Sequence, residues 1–146
     1  MWRAVPLSTV IPVYDRLTWR FRVIGRPGTV AIYRLEDLWA LPGLSLTDSR
    51  LSGSPNTAGT QWWATPIIQL VPRATIHPQA TSVRLVDALG ESIDIPLNKF
   101  FSERTHILTL GNNQPISPDH GGPCIIYGQR GASIVVRPWI QHLEIL

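Results

Sequence analysis

Turn-forming residues recur along the whole chain and leave only short segments between them. The 146 residues include 13 prolines and 11 glycines, which are spread from one end to the other. Trp19 to Ile24 alternates apolar and polar side chains, Gly25 to Gly28 has turn composition, and Thr29 to Tyr33 returns as a second strand. The pattern predicts a mainly β (α+β) architecture with short helices, arranged as a sandwich or an irregular barrel.

Further strands are predicted in the second half of the chain, at Ser82 to Asp87, Ser92 to Ile95, His106 to Leu110, Cys124 to Tyr127, Ser133 to Val136 and Gln141 to Leu146. Short helices are predicted at Leu35 to Leu41 and at Thr65 to Leu70, the second because Thr65-Pro66 fits a helix cap followed by a first-turn proline. Thr47 to Thr60 is predicted to be a loop. The length favours a single domain over residues 1–146.

Charge and hydropathy exclude several classes of function. The formal net charge is +3, but the chain has a single lysine, Lys99, and its arginines are scattered rather than clustered. Nucleic-acid binders concentrate such residues on one face, so no nucleic-acid partner is expected. No apolar run approaches the roughly 20 residues that span a bilayer, so no transmembrane segment is expected. The N-terminus lacks the apolar stretch of a secretory signal, which favours the cytoplasm, or the periplasm if a leader has been removed.

Five segments, taken in order, carry a resemblance to one enzyme family. They are Trp19 to Gly25, Glu36 to Pro42, Trp62 to Leu70, Ile95 to Leu97 and the closing stretch from Asn113 to Leu146, which contains His-Gly-Gly-Pro. Their order and spacing resemble those of the sulfite oxidase family of molybdopterin enzymes. The resemblance covers nearly the whole chain and implies a sulfite oxidase-type molybdopterin-binding fold built on mixed sheets.

The residue that would hold molybdenum in that family has no counterpart here. Counting back from Trp62, the family's metal-binding cysteine falls at Leu51, or at Arg50 or Ser52 if the alignment shifts, and none of these supplies a thiolate. Cys124, the only cysteine, follows Pro123 in an apolar run and is predicted to be a buried, inert thiol.

The family's phosphate anchors are also replaced. Ile125 and Pro138 stand where the family has an arginine and a lysine, and this removes the charge-assisted bonds that would hold a phosphorylated cofactor. Arg130 and Arg137 lie nearby and are candidates to compensate. We therefore expect that the molybdenum cofactor is not retained, that no metal site or catalytic residue is present, and that the chain is not an enzyme.

Two interpretations of His120-Gly121-Gly122 stay open. In the first, the glycines let the backbone approach a flat heterocycle while His120 hydrogen-bonds its edge, which the resemblance also implies. In the second, the same residues form a tight turn that the fold requires. Trp62 and Trp63 point to opposite sides of an extended chain, so one of them is available to a ligand. The predicted ligand-binding residues are His120, Gly121, Gly122, Trp62, Trp63, Arg50, Arg130 and Arg137.

Three functions follow from these observations. The first is a non-catalytic binding module for a small flat ligand, with an unphosphorylated pterin as the candidate. The second is a scaffold or accessory subunit that assembles with a protein partner in a larger complex. The third is a molybdopterin oxidoreductase with altered metal ligation. A bound pterin, a stable protein partner or a stoichiometric metal would distinguish them.

Overall fold

The protein consists mainly of short β-strands. The structure is a computed structural model that describes residues 11–25, 28–47, 59–71, 76–102, 104–130 and 133–146. The strands are β1 (Phe21–Ile24), β2 (Thr29–Tyr33), β3 (Leu44–Leu46), β4 (Trp62–Pro66), β5 (Ser82–Asp87), β6 (Ser92–Pro96), β7 (Arg104–Gly111), β8 (Gln114–Pro115), β9 (Ile125–Arg130), β10 (Ser133–Arg137) and β11 (Ile140–Ile145). The helices are α1 (Leu35–Trp39), α2 (Leu97–Ser102) and two 3-10 turns, Ile67–Gln69 and Pro118–His120.

The strands form two sheets. One has five strands in the order β2-β1-β11-β5-β6, and the other runs β10-β9-β7-β4-β3 with β8 attached to β7. β1 and β11 pair in parallel, whereas the other pairs within the first sheet are antiparallel, so this sheet is mixed. Among the described residues neither sheet closes on itself. The predicted mainly β fold with short helices is confirmed, and of the two architectures left open the irregular barrel is not the one adopted.

Alternation along the strands directs apolar side chains from both sheets into one core. Phe21 and Val23 on β1 are fully buried, and Arg22 between them is exposed. They join Leu143 of β11 in a cluster that also contains Ile107 and Ile126 from the second sheet. The period of two along each strand therefore builds the layer between the sheets.

A second, smaller cluster lies on the opposite face of the six-stranded sheet. Its members are Trp62, Ala64, Leu108, Ile125, Tyr127 and Ile116. Ile116 comes from the segment between β8 and β9, residues 116–124, which crosses this face of the sheet. We call it the covering segment, and it also carries the His-Gly-Gly-Pro motif.

The predicted helix at Thr65 to Leu70 is wrong in its first half. Thr65 and Pro66 are the end of β4, where they pair with Ile107 and His106 of β7. Pairing with a neighbouring strand holds them extended and overrides the local capping signal. The remaining turn is a 3-10 helix that begins at Ile67.

Helix α1 begins where the sequence predicts and ends before Leu41. The Asp37 carboxylate accepts a hydrogen bond from the Arg34 backbone N–H at 2.8 Å, which caps the first turn. That hydrogen bond, together with the Arg34 guanidinium, lowers the pKa of Asp37. The helix ends at Trp39, whose indole N–H donates to the Thr109 carbonyl of β7 at 3.2 Å.

Candidate functional site

A pocket of about 410 Å³ lies where the covering segment meets the ends of β4 and β7. Its volume falls within the range of roughly 300–1,000 Å³ that is usual for small-molecule sites. Trp62 and His120, which are distant in sequence, both line it. The complete lining is Thr60, Trp62, Gly111, Asn112, Pro115, Ile116, Ser117 and His120.

The turn between β7 and β8 forms one wall of the pocket. Asn112 and Asn113 both adopt left-handed conformations, with φ of 50° and 62°, which asparagine tolerates better than most residues. The Asn112 backbone N–H donates to the Gln61 carbonyl at 2.7 Å, and its side-chain oxygen accepts from the Gln61 N–H at 2.9 Å. The wall is therefore tied to the start of β4.

The opposite wall is the 3-10 turn that ends at His120. The Ser117 carbonyl accepts hydrogen bonds from the backbone N–H groups of His120 at 3.0 Å and Gly122 at 2.9 Å. The Ser117 Oγ lies 2.7 Å from the His120 Nδ1. Both side chains are exposed, and both line the pocket. His120 is therefore held at one ring nitrogen and is accessible at the rim of the pocket.

Gly121 and Gly122 are buried behind His120 and do not line the pocket. Gly121 has φ of 94°, a conformation that favours glycine, and a Cβ there would lie 2.9 Å from the Cβ of Pro138. A Cβ on Gly122 would collide with the backbone of Ile116. The two glycines therefore shape the turn that presents His120, and their contacts are with the protein itself.

Trp139 stabilises the same turn through two hydrogen bonds. Its indole N–H donates to the Pro118 carbonyl at 2.8 Å, and its backbone N–H donates to the Gly121 carbonyl at 2.8 Å. It does this from a left-handed conformation with φ of 57°, which is uncommon for a bulky residue. In the sequence Trp139 fits an inward-facing core position, and that pattern gives no sign of its role in holding the His120 turn.

Trp62 and Trp63 lie on opposite sides of β4, as the sequence predicts. Trp62 is 4% exposed, belongs to the smaller cluster and forms the apolar floor of the pocket. The ring of Trp63 packs on the other side of β4, against Gly43. A Cβ added to Gly43 would lie 3.0 Å from that ring. Of the pair, the structure brings only Trp62 together with His120.

Of the three predicted arginines, the structure describes the side chain of Arg137 and not those of Arg50 and Arg130. Arg50 lies outside the described residues. The backbone of Arg130 is in β9, but its side chain is outside what the structure describes. Arg137 is exposed and lines a separate cavity of about 460 Å³, together with Asp87 and Glu91.

The chemistry of the lining decides which kind of cofactor it fits. Among the described residues of the lining there is no lysine, arginine, aspartate or glutamate. Cys124, the only cysteine of the chain, is fully buried in the core between the sheets, and burial raises the pKa of its thiol. The described part of the lining therefore supplies neither of the two groups that a thiolate-ligated, phosphorylated cofactor needs, a protein thiolate and a cationic anchor for phosphate.

Two other features are absent from the described residues. These residues contain no group of three or more histidine, cysteine, aspartate or glutamate side chains arranged to hold a metal ion. No helix in the same residues is long and apolar enough to cross a membrane.

Among known proteins, one is similar to this chain in sequence and another is similar in fold. A Bacillus subtilis (strain 168) protein described as the uncharacterized oxidoreductase YuiH is 24% identical over 115 residues, which is 77% of this chain and 58% of that protein. The crystal structure of the sulfane dehydrogenase SoxCD from Paracoccus pantotrophus superposes with a TM-score of 0.65 at 16% identity, over 92% of this chain and 40% of that one. No protein-family model matches the chain.

These relatives confirm one expectation and overturn another. The two-sheet, mainly β architecture matches the fold of the sulfane dehydrogenase, so the chain has a sulfite oxidase-like fold. The expectation that the chain is not an enzyme is wrong, because both relatives carry the names of oxidoreductases. That expectation came from the missing cysteine and the replaced phosphate anchors, and the loss of such cofactor contacts does not by itself separate a protein from an enzyme family. The chain spans about half the length of these two proteins.

Proposed function

We propose that the chain is the ligand-binding domain of a sulfite oxidase-related oxidoreductase, and that its pocket holds a flat, uncharged heterocycle of the pterin type. The observation that carries the proposal is that Trp62 and His120 line the same pocket. An apolar floor and a polar rim suit a planar ring system with hydrogen-bonding groups at its edge.

The charge of the lining favours a ligand without phosphate. The described lining offers hydroxyl, amide and imidazole groups, but no cation that would form a charge-assisted bond to a phosphate. A neutral pterin needs only hydrogen-bond partners at its edge and an apolar surface under its ring. Asn112, Ser117 and His120 supply polar atoms at the rim, and Trp62 with Ile116 supplies the apolar surface.

The chain's own residues bind and orient the ring in this account. The turn that carries His120 is held by the Trp139 indole at 2.8 Å and by the close packing of Gly122 on Ile116. A side chain fixed in this way loses little freedom when a ligand binds, which favours affinity. The oxidoreductase class is proposed from the names of the two relatives.

Calorimetric titration with unsubstituted pterin tests the proposal. The wild-type protein is expected to bind, and His120→Ala is expected to weaken binding between about twofold and tenfold, the effect of one lost hydrogen bond. His142→Ala is the matched control, because His142 lies on β11 in the other sheet and is expected to leave binding unchanged. Absence of binding to the wild type, or equal binding by the His120 variant, would contradict the proposal.

Assembly into a larger complex is a second candidate function, and exposed apolar side chains favour it. Val13 is 93% exposed and Leu17 is 83% exposed. Contiguous exposed apolar patches are typical of interaction surfaces, and these two side chains lie four residues apart in the chain. Light scattering on protein isolated from its source is expected to give a mass above that of one chain. The double substitution of Val13→Ser with Leu17→Ser is expected to lower that mass. A monomeric mass in the source extract would contradict it.

A further inference from the structure

The hydrogen bond between Ser117 and His120 selects which ring nitrogen of the histidine faces the pocket. We infer that Ser117 is a positioning residue that, in the neutral form of His120, holds the proton on Nε2, so that the pocket presents an N–H donor to its ligand. This inference rests on the proposed flat-ligand site and adds to it the kind of ligand edge that the site prefers.

The geometry of the turn brings the two side chains together. Ser117 stands immediately before the 3-10 turn with an extended backbone, φ −68° and ψ 153°, and His120 is the last residue of that turn. The backbone hydrogen bond from the His120 N–H to the Ser117 carbonyl, at 3.0 Å, closes the turn. The side chains then meet with 2.7 Å between Oγ and Nδ1. Because both lie on one closed turn, the contact is local in sequence.

The length of this contact favours one of the two directions that a serine–histidine hydrogen bond can take. Bonds donated by a hydroxyl to oxygen cluster at about 2.7–2.8 Å, whereas bonds donated by an N–H to oxygen span about 2.7–3.2 Å and cluster at about 2.9–3.0 Å. At 2.7 Å the contact between Ser117 and His120 lies at the short limit for an N–H donor, so we take the hydroxyl as the donor to an unprotonated Nδ1. In a neutral imidazole the proton must then be on Nε2.

An Nε2–H donor at the rim discriminates between two closely related ligands. Pterin carries a carbonyl at ring position 4, which accepts a hydrogen bond, whereas 2,4-diaminopteridine carries an amino group there, which donates one. Two facing donors leave a polar group unpaired, and such a mismatch is costly in a partly desolvated site. We expect wild-type protein to prefer pterin over 2,4-diaminopteridine by about tenfold.

Histidine NMR tests the position of the proton without any ligand. Long-range ¹H–¹⁵N correlation at alkaline pH, where imidazoles are neutral, is expected to show His120 with its proton on Nε2 in the wild type and in Ser117→Thr. In Ser117→Ala the population with the proton on Nδ1 is expected to rise. Ser92→Ala is the matched serine control, since Ser92 is exposed on β6. A wild-type signal from Nδ1–H, or a tautomer unaffected by Ser117→Ala, would overturn the inference.

Ligand preference gives a second readout at neutral pH. Ser117→Ala is expected to lower the preference for pterin from about tenfold to about threefold or less, because the imidazole can then present either nitrogen. Ser117→Thr keeps the hydroxyl and is expected to keep the preference. An unchanged preference in Ser117→Ala would overturn the inference.

The two experiments separate the inference from the proposed function. If wild-type protein binds neither pteridine, the flat-ligand proposal fails, and the NMR measurement still decides the role of Ser117. If pterin binds and the tautomer does not respond to Ser117→Ala, the ligand site stands and the positioning role is rejected.

Discussion

The core between the sheets and the covering segment over the six-stranded sheet are built in different ways. The core takes residues such as Phe21, Val23 and Leu143 from regular strands, and alternation alone places them inside. The covering segment has little regular structure and depends on the left-handed Gly121, tight glycine packing and single hydrogen bonds. The first region supplies stability, and the second holds polar side chains at an accessible pocket.

Removing a large side chain from the core is expected to have the largest effect on stability. Leu143 is fully buried in the cluster between the sheets. Leu143→Ala removes apolar contacts and leaves a cavity, which typically costs about 2–5 kcal/mol. Urea denaturation followed by circular dichroism measures this change in the free energy of unfolding. A loss below about 0.5 kcal/mol would show that the two sheets do not share a close-packed core.

A methyl group on the covering segment is expected to have a smaller effect on stability and a direct effect on the pocket. Gly122→Ala places a Cβ against the backbone of Ile116, so the segment must shift, at a cost of about 1–3 kcal/mol. Because Ile116 lines the pocket, pterin binding is expected to weaken as well.

Gly28→Ala is the control for this substitution, because a Cβ at Gly28 meets nothing within 4 Å. The same denaturation and binding assays apply to both variants. Equal stability of the Gly122 and Gly28 variants would contradict the close packing of the segment, and would remove the contrast between the two regions.

The sequence predicts the regular region better than the pocket. Ser82–Asp87 is predicted with its observed bounds because its alternation is strong and its turns are clear. Leu44–Leu46 is missed because this three-residue edge strand is largely exposed and carries no burial pattern. Helix α2, Leu97–Ser102, is missed too, since its start follows a strand without a capping signal. Tertiary pairing converted Thr65-Pro66 from a helix start into the end of a strand.

The pocket could be predicted only in part. The family resemblance predicts His120 as a site residue. Trp62 is predicted because it and Trp63 are adjacent on an extended chain and point to opposite sides, so that one of them is available to a ligand. That His120 and Trp62 meet depends on how the covering segment folds back over β4, which no local pattern specifies. Ser117 has a detectable signal, because Ser-Pro-Asp-His resembles the start of a helical turn, with a histidine three residues after the serine.

Calorimetric titration of pterin into wild type, His120→Ala and His142→Ala decides whether the Trp62–His120 pocket is a ligand site. We expect one binding site in the wild type, affinity lowered between about twofold and tenfold in His120→Ala, and no change in His142→Ala. A wild-type protein that does not bind pterin, or two histidine variants that behave alike, would contradict it.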